Sequence, residues 1–205
     1  MNNLLIMGAG GHGKVVADAA DAMQKWKEIC FLDDHVSSCN GMGVVGKFAD
    51  LPALRQRFPE VMVAVGDNHM RDILLLQCME LGFRLPIIIH PTSWISKFAK
   101  IGHGSVVFAN TAINANAQIG YGCIINTAAV VEHDCVIDDC VHLSPNATLA
   151  GKVKVGKYSW IGAGATVIND MSVGDNVIIG ANSLVINEIS SNVTAVGSPA
   201  KIIKS

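Results

Sequence analysis

The sequence has little charge, few aromatic residues and no long hydrophobic run. Only 16% of its 205 residues are charged, the formal net charge is -2, and aromatic residues make up 5%. A protein of this composition lacks the excess of basic residues that nucleic-acid binding requires, so we expect no nucleic-acid partner. The apolar run in MNNLLIM follows no basic leader and is too short for a signal peptide or a membrane span. We therefore expect a cytoplasmic protein without a membrane span.

The cysteines also lack a recognisable pattern. Six are present, but none forms a C-x-x-C pair. This spacing argues against a redox motif or a zinc ribbon, and it favours reduced thiols in the core of a cytoplasmic protein. We expect no metal site.

Aliphatic residues recur every six positions through the second half of the chain. An α-helix repeats near 3.6 residues and a strand at 2, whereas a six-residue repeat is typical of a parallel β-helix. Each repeat then supplies one short strand and one corner. Residues 91–205 are therefore predicted to form a prism with an aliphatic interior. The sixteen repeat positions are Ile95, Ile101, Val107, Ile113, Ile119, Ile125, Val131, Ile137, Leu143, Leu149, Val155, Ile161, Val167, Val173, Ile179 and Val185.

The residue three places after each aliphatic position supports this prediction. It is mostly Gly, Asn or Asp, and these residues tolerate the positive φ that a tight corner demands. The members of this type are Gly104, Asn110, Asn116, Gly122, Asp134, Asn146, Gly164, Asp170, Asn176 and Asn182.

Residues 1–90 show a different, alternating pattern. Strands are predicted at 3–7, 29–32, 61–65 and 85–89, with helices at 13–26 and 69–81, so we expect a parallel α/β sheet. Gly8, Gly10 and Gly13 form G-x-G-x-x-G between the first strand and helix, and Asp33 follows the second strand. This is the dinucleotide-binding fingerprint, but ninety residues supply only one of its two usual halves. A nucleoside diphosphate therefore fits this half-Rossmann domain better than NAD.

The stretch VVEHDC places His133 at a predicted corner between Glu132 and Asp134. A histidine suits proton transfer near neutral pH, and a carboxylate on its other ring nitrogen would fix the tautomer. Neighbouring side chains on a strand point to opposite faces, but at a corner they can meet. Either Asp134 or Glu132 could supply the carboxylate.

The hexapeptide repeat and the late VGSPAK segment resemble the left-handed β-helix acyltransferases, which are usually trimers with clefts between neighbouring prisms. GAGGHGK, FLDD and EHD extend the resemblance to the nucleotide-sugar acetyltransferases. The best match is to bacterial enzymes that N-acetylate a UDP-linked 4-amino-4,6-dideoxy sugar from acetyl-CoA, for bacillosamine-type glycans. A related group is the sialic-acid O-acetyltransferases.

This resemblance implies roles for individual residues. His133 is the expected general base and Asp134 its acidic partner, although family members often have Glu at the Asp134 position. His142 lies half an eighteen-residue coil from His133, so a neighbouring subunit would have to bring the two together. The expected acetyl-CoA contacts are His142, Ala163 and Ala181. The expected sugar-nucleotide contacts are Gly10, Gly11, His12, Asp33, Asp34, Gly66 and Asn126.

Three other functions are weighed against this one. O-acetylation of a sugar such as sialic acid would use the same base, and the sequence does not separate it from N-acetylation. A non-catalytic assembly module would have no use for His133. A carbonic-anhydrase-like prism would need H-x4-H, and the histidines lack that spacing.

Overall fold

The structure is a computed structural model that describes residues 2–204. The chain divides between Pro91 and Thr92 into two compact units. No helix among the described residues has both the length and the apolar character needed to cross a membrane.

The first unit is an α/β domain. Its strands are β1 (Asn2–Met7), β2 (Trp26–Leu32), β3 (Ser38–Cys39), β4 (Met42–Gly46), β5 (Glu60–Val63) and β6 (Ile88–Ile89). Its helices are α1 (Gly11–Ala22), α2 (Leu51–Leu54) and α3 (Asn68–Glu80), with a 3₁₀ turn at Phe48–Asp50. Five strands form a sheet in the order β3-β4-β2-β1-β5, in which β1 pairs in parallel with β2 and β5. The half-Rossmann prediction is confirmed.

Two predicted elements of this unit differ from the structure. The strand predicted at 85–89 is reduced to β6, because Pro86 has no N–H to donate to a sheet. The first helix ends at Ala22 rather than at residue 26, and Gln24 has the left-handed φ of 53°. The short strands β3 and β4 were not predicted.

The second unit is a left-handed parallel β-helix with three faces. The first face contains β7 (Trp94–Ile95), β10 (Ala112–Ile113), β13 (Val130–Val131), β16 (Thr148–Leu149), β19 (Thr166–Val167) and β22 (Leu184–Val185). The second contains β8 (Lys100–Ile101), β11 (Gln118–Ile119), β14 (Val136–Ile137), β17 (Lys154–Val155) and β20 (Ser172–Val173). The third contains β9 (Val106–Val107), β12 (Ile124–Ile125), β15 (His142–Leu143), β18 (Trp160–Ile161), β21 (Ile178–Ile179), β23 (Thr194–Val196) and β24 (Lys201–Lys204).

Successive coils are in strict register. Ile113 pairs with Val131, and Val131 with Leu149, so each step along a face from β7 to β22 is eighteen residues. The last step is shorter, because Ile179 of β21 pairs with Ala195 of β23. The aliphatic column fills the interior, and most of its members are completely buried. The predicted corner residues all have positive φ. Four other residues three places after an aliphatic position also have positive φ, although their residue types rarely adopt it: Ala128, Cys140, Lys152 and Tyr158. All six cysteines are buried and free.

The corner conformation gives a test of the fold. Ala128 has a φ of 56°, which is unfavourable for an L-residue, whereas the next residue, Ala129, is fully buried and has no positive φ. We expect Ala128→Gly to maintain or raise the thermal midpoint. Ala129→Gly should lower the free energy of unfolding by about 1–2 kcal/mol, because it adds chain entropy and removes a buried methyl group. Equal losses in both variants would contradict the assigned corner geometry.

Candidate active site

His133 and Asp134 form a pair at the corner between the first and second faces. Nδ1 of His133 lies 2.9 Å from Oδ2 of Asp134. Asp134 has a φ of 59°, and this left-handed turn allows two consecutive side chains to meet. Asn116, one coil earlier, donates from Nδ2 to the other carboxylate oxygen of Asp134 at 3.1 Å. Both oxygens of Asp134 are therefore held in place.

The electrostatics of this pair favour an ionised carboxylate. The hydrogen bond from His133 lowers the pKa of Asp134, and the bond from Asn116 and the charge of Lys152 act in the same direction. An ionised carboxylate accepts the Nδ1 proton, which leaves the lone pair of a neutral ring on Nε2. The histidine side chain is 55% exposed. The pair thus leaves Nε2 as the basic nitrogen of a ring that is half-exposed at the corner.

Glu132 takes a different position. Its Oε2 accepts the backbone N–H of His133 at 3.3 Å and has no contact with the ring nitrogen that Asp134 occupies. Of the two carboxylates left open by the sequence, the structure places Asp134 on the imidazole.

Gly151 makes room for the ring of His133. It lies one coil further along the same corner, where the backbone N–H of Lys152 donates to the carbonyl of His133 at 2.9 Å. A Cβ at Gly151 would lie 2.6 Å from Nε2 of His133, inside van der Waals contact. The sequence prediction missed this residue, although its position eighteen residues after His133 identifies it once the coil length is known.

A second group of predicted residues lies on the third face. His142 is on the outer side of β15, where its ring stacks on Trp160 with centroids 5.5 Å apart. Nε2 of His142 lies 3.3 Å from the amide nitrogen of Asn126. The structure therefore brings Asn126 and His142 together. Trp160 was not predicted, because exposure of an aromatic residue on a β-helix has no local sequence signal.

Ala163 and Ala181 lie on the corner that follows the third face. The two alanines are exposed and one coil apart, and the carbonyl of Ala163 accepts the N–H of Asn182 at 2.8 Å. Their corner follows the face that carries His142, whereas His133 is at the corner between the other two faces. One chain thus carries the two predicted parts of the site on different sides of its prism.

The glycines of the front unit divide into two kinds. Gly8 has a φ of 104°, and a Cβ at Gly13 would lie 2.0 Å from the carbonyl oxygen of Gly8. These two positions shape the turn and allow α1 to pack against β1. A Cβ at Gly10 or Gly11 would meet no atom within 4 Å. Gly10 provides no side-chain cap for the twelve-residue helix α1, so this helix N-terminus has the features of an anion-binding site.

Asp33 links the glycine loop to the segment after β2. Its Oδ2 accepts the N–H of Ala9 at 2.7 Å, and its Oδ1 accepts the N–H groups of His35 and Val36 at 2.9 and 3.0 Å. Burial alone would raise the pKa of Asp33, but these three backbone donors hold it below its usual value. Asp34 accepts the N–H of Phe48 at 3.1 Å. Both aspartates therefore organise loops at the carboxyl end of β2.

His12 lies in the first turn of α1, close enough to Arg71 for their charges to interact. Burial lowers the pKa of His12 to about 4, and the charge of Arg71 adds to this shift, so the ring is neutral at pH 7. Arg71 is buried, and its Nη1 donates to the carbonyls of Val65 and Gly66 at 3.0 and 3.2 Å. Arg71 fixes the loop that contains Gly66. Nothing in the helical pattern of α3 distinguished this arginine.

Within residues 2–204, no group of three or more His, Cys, Asp or Glu side chains is arranged to hold a metal ion.

The prism with its His–Asp pair, together with a glycine loop on an α/β domain, defines a hexapeptide-repeat acyltransferase.

Known proteins share both units. Residues 3–76 match the PglD N-terminal domain, and residues 152–187 match the bacterial transferase hexapeptide family (six repeats). The acetyltransferase domain of PglB from Neisseria gonorrhoeae FA1090, solved with acetyl coenzyme A, is 42% identical with a TM-score of 0.97, covering 99% of this chain and 100% of that one. PerB from Caulobacter crescentus, solved with CoA and GDP-perosamine, is 39% identical with a TM-score of 0.95, covering 98% and 97%.

A relative of named activity is the UDP-N-acetylbacillosamine N-acetyltransferase of Bacillus subtilis (strain 168). It is 43% identical over 114 residues, which are 53% of this chain and 52% of that protein. The chain belongs to the family of hexapeptide-repeat sugar N-acetyltransferases that carry a PglD N-terminal domain.

The contact between His133 and Gly151 leads to a structural prediction. Gly151 has no positive φ, so Gly151→Ala should cost little backbone energy, but its Cβ should displace the ring of His133 and weaken the Nδ1–Asp134 bond. We expect the Nδ1 proton resonance of His133 to shift or broaden in NMR spectra, while the thermal midpoint stays near that of the wild type. Asn169→Ala, one coil further along the corner, is the matched control. An unchanged His133 signal in Gly151→Ala would contradict the proposed packing.

Proposed function

We propose that the protein transfers the acetyl group of acetyl-CoA to the 4-amino group of a UDP-linked 4-amino-4,6-dideoxy sugar in bacterial glycan biosynthesis. The observation that carries this proposal is the His133–Asp134 pair, with its 2.9 Å contact and its exposed ring. The relatives described above are N-acetyltransferases or were solved with acetyl-CoA or with CoA and an amino-sugar nucleotide, which supports an amine acceptor. Because acetyl-CoA is a cytoplasmic metabolite, we place the reaction in the cytoplasm.

In the proposed reaction, His133 acts as a general base. The neutral amine attacks the thioester carbonyl, a C–N bond forms, and Nε2 of His133 takes the proton that the nitrogen loses. The tetrahedral intermediate then collapses and the C–S bond breaks. The proton held by the imidazolium of His133 passes to the sulfur, so CoA leaves as a thiol and the base returns to its neutral form. Asp134 keeps Nδ1 protonated and stabilises the imidazolium that forms.

The front unit is proposed to hold the sugar nucleotide. The open space beside Gly10 and Gly11 lets a diphosphate approach the N-terminus of α1, where backbone N–H groups and the helix dipole favour an anion. His12 is neutral and would contribute a hydrogen bond rather than a charge. Asp33, Asp34 and Gly66, on the neighbouring loops, are proposed to lie beside the nucleoside.

Acetyl-CoA is proposed to lie along the third face and its following corner, against His142 and the backbones of Ala163 and Ala181. Within one chain these residues and His133 lie on different sides of the prism. We therefore propose a homotrimer in which each active site combines His133 of one subunit with His142 of the next. The exposed Trp160 and Ile178 on the third face would then lie at or near a contact between prisms.

The direct test of the proposed function is an acceptor panel. The purified protein is incubated with acetyl-CoA and with UDP- and GDP-linked 4-amino-4,6-dideoxy sugars, and thiol release and the mass of the product are measured. We expect the UDP-linked amine to be acetylated most efficiently. A preference for the GDP-linked sugar would correct the nucleotide. Acetylation of a sugar hydroxyl with no reaction at the amines would instead support the O-acetyltransferase alternative.

The role of His133 predicts a large loss of rate on its removal. His133→Ala should lower kcat by roughly 10²–10⁴-fold, the usual scale for a positioned proton transfer, while the protein still assembles and binds CoA. Asp134→Asn should cost less, and Glu132→Gln less again, since only Asp134 contacts the ring. Near-normal turnover by His133→Ala would refute this mechanism.

The two kinds of glycine predict opposite phenotypes. Gly11→Val projects into open space, so we expect a raised KM for the sugar nucleotide, an unchanged KM for acetyl-CoA and a nearly unchanged thermal midpoint. Gly13→Ala should lower the thermal midpoint, because its Cβ would collide with the carbonyl of Gly8. Tight NAD binding in calorimetry, without binding of UDP-sugars, would show that the front unit serves another ligand.

The shared site predicts complementation between inactive variants. His133→Ala and His142→Ala subunits are unfolded, mixed in equal amounts and refolded, and acetyl transfer is compared with that of each variant alone. Random assembly gives intact pairs at about one quarter of the sites in a cyclic trimer, so about a quarter of the wild-type rate should return. Light scattering on the same samples reports the mass. No recovery, or a monomeric mass, would contradict the intersubunit site.

A further inference from the structure

The amide of Asn126 has a fixed orientation. Its Oδ1 accepts the backbone N–H of Thr127 at 2.8 Å, so its Nδ2 is the atom that faces Nε2 of His142 at 3.3 Å. An amide nitrogen can only donate, and a neutral imidazole has one donor and one acceptor nitrogen. In a neutral ring, Nε2 of His142 accepts this bond and the ring proton is on Nδ1.

The plane of the same ring is also fixed. The indole of Trp160 stacks on His142 with an angle of 2° between the rings. The indole is itself anchored, because its Nε1 donates to Oγ of the buried Ser144 at 2.6 Å. Ser144 lies one coil after Asn126 on the same side of the prism. The residue that contacts His142 and the residue that holds the stacked indole are therefore on adjacent coils.

We infer that Asn126 and Trp160 are positioning residues for His142: Asn126 fixes the ring proton on Nδ1, and Trp160 fixes the ring plane. The catalytic consequence rests on the proposed function, in which His142 meets acetyl-CoA. A ring with one tautomer and one orientation avoids the entropic cost of selecting them in each catalytic cycle. Asn126 then serves the acetyl donor through His142, rather than contacting the sugar as the resemblance implies.

The tautomer can be measured without any substrate. In the full-length protein labelled with ¹⁵N-histidine, two-bond ¹H–¹⁵N correlation spectra distinguish a proton on Nδ1 from one on Nε2, and loss of signals in His142→Gln assigns the ring. We expect the Nδ1-protonated pattern in the wild type. Asn126→Asp replaces the donor by an acceptor, so the proton should move to Nε2. A wild-type ring protonated on Nε2, or an Asn126→Asp ring without a proton on Nε2, would overturn the inference.

Kinetics test the consequence for catalysis. Asn126→Ala and Trp160→Leu should each lower kcat, by up to about 10²-fold, with an unchanged KM for the sugar nucleotide. Trp160→Phe keeps an aromatic ring over His142 and should recover part of the rate. Trp94→Leu, which removes an exposed indole from the first face, is the matched control. A raised sugar KM with normal kcat in Asn126→Ala, and an unchanged tautomer, would instead make Asn126 a sugar contact.

These measurements separate the inference from the proposed function. If the wild type transfers no acetyl group to any nucleotide sugar, the proposed function fails, but the tautomer of His142 and its response to Asn126→Asp still support or refute the positioning roles.

Discussion

The left-handed backbone at each prism corner is the constraint on which the rest of the second unit depends. A six-residue repeat can close into a three-sided coil only if one residue in six accepts a positive φ, a conformation that is costly for most side chains. Asn, Asp and Gly occupy most corners for this reason. At position 134 the same backbone requirement also forms the candidate site, because the turn brings the Asp134 carboxylate onto the ring of the preceding histidine. The proposed base is thus built into the geometry that forms the fold.

Much of this arrangement could be predicted from sequence because the repeat has no insertion. Once the aliphatic column is recognised, its period fixes which residues point inward, which form corners, and which lie one coil apart. The corner location of His133 followed directly from this period. The choice between Glu132 and Asp134 did not, because it depends on side-chain rotamers and on the bond from Asn116 in the preceding coil.

The remaining contacts depend on which neighbouring side chains touch, and the repeat period alone does not give this. The clearance that Gly151 gives to His133 and the stacking of Trp160 on His142 both join residues eighteen apart. In the front unit, G-x-G-x-x-G predicted the loop but not that its glycines have two different roles. Gly8 and Gly13 are required by the protein's own backbone, whereas the space beside Gly10 and Gly11 is left open. The role of Arg71 could not be predicted from the sequence, because its guanidinium holds carbonyls of a loop that precedes its helix.

The eighteen-residue pairing from β7 to β22 has a consequence for how such a chain can change during evolution. The prism is a screw in which eighteen residues complete one turn and each six-residue repeat supplies one face. An insertion of one residue between Ile95 and Val185 that does not bulge out at a corner would shift every later position and carry aliphatic side chains to the outside. Duplication of a whole coil would leave all later residues in phase and only lengthen the screw. Enzymes of this architecture can therefore lengthen or shorten by complete coils, while the angular offset between His133 and His142 is preserved by symmetry.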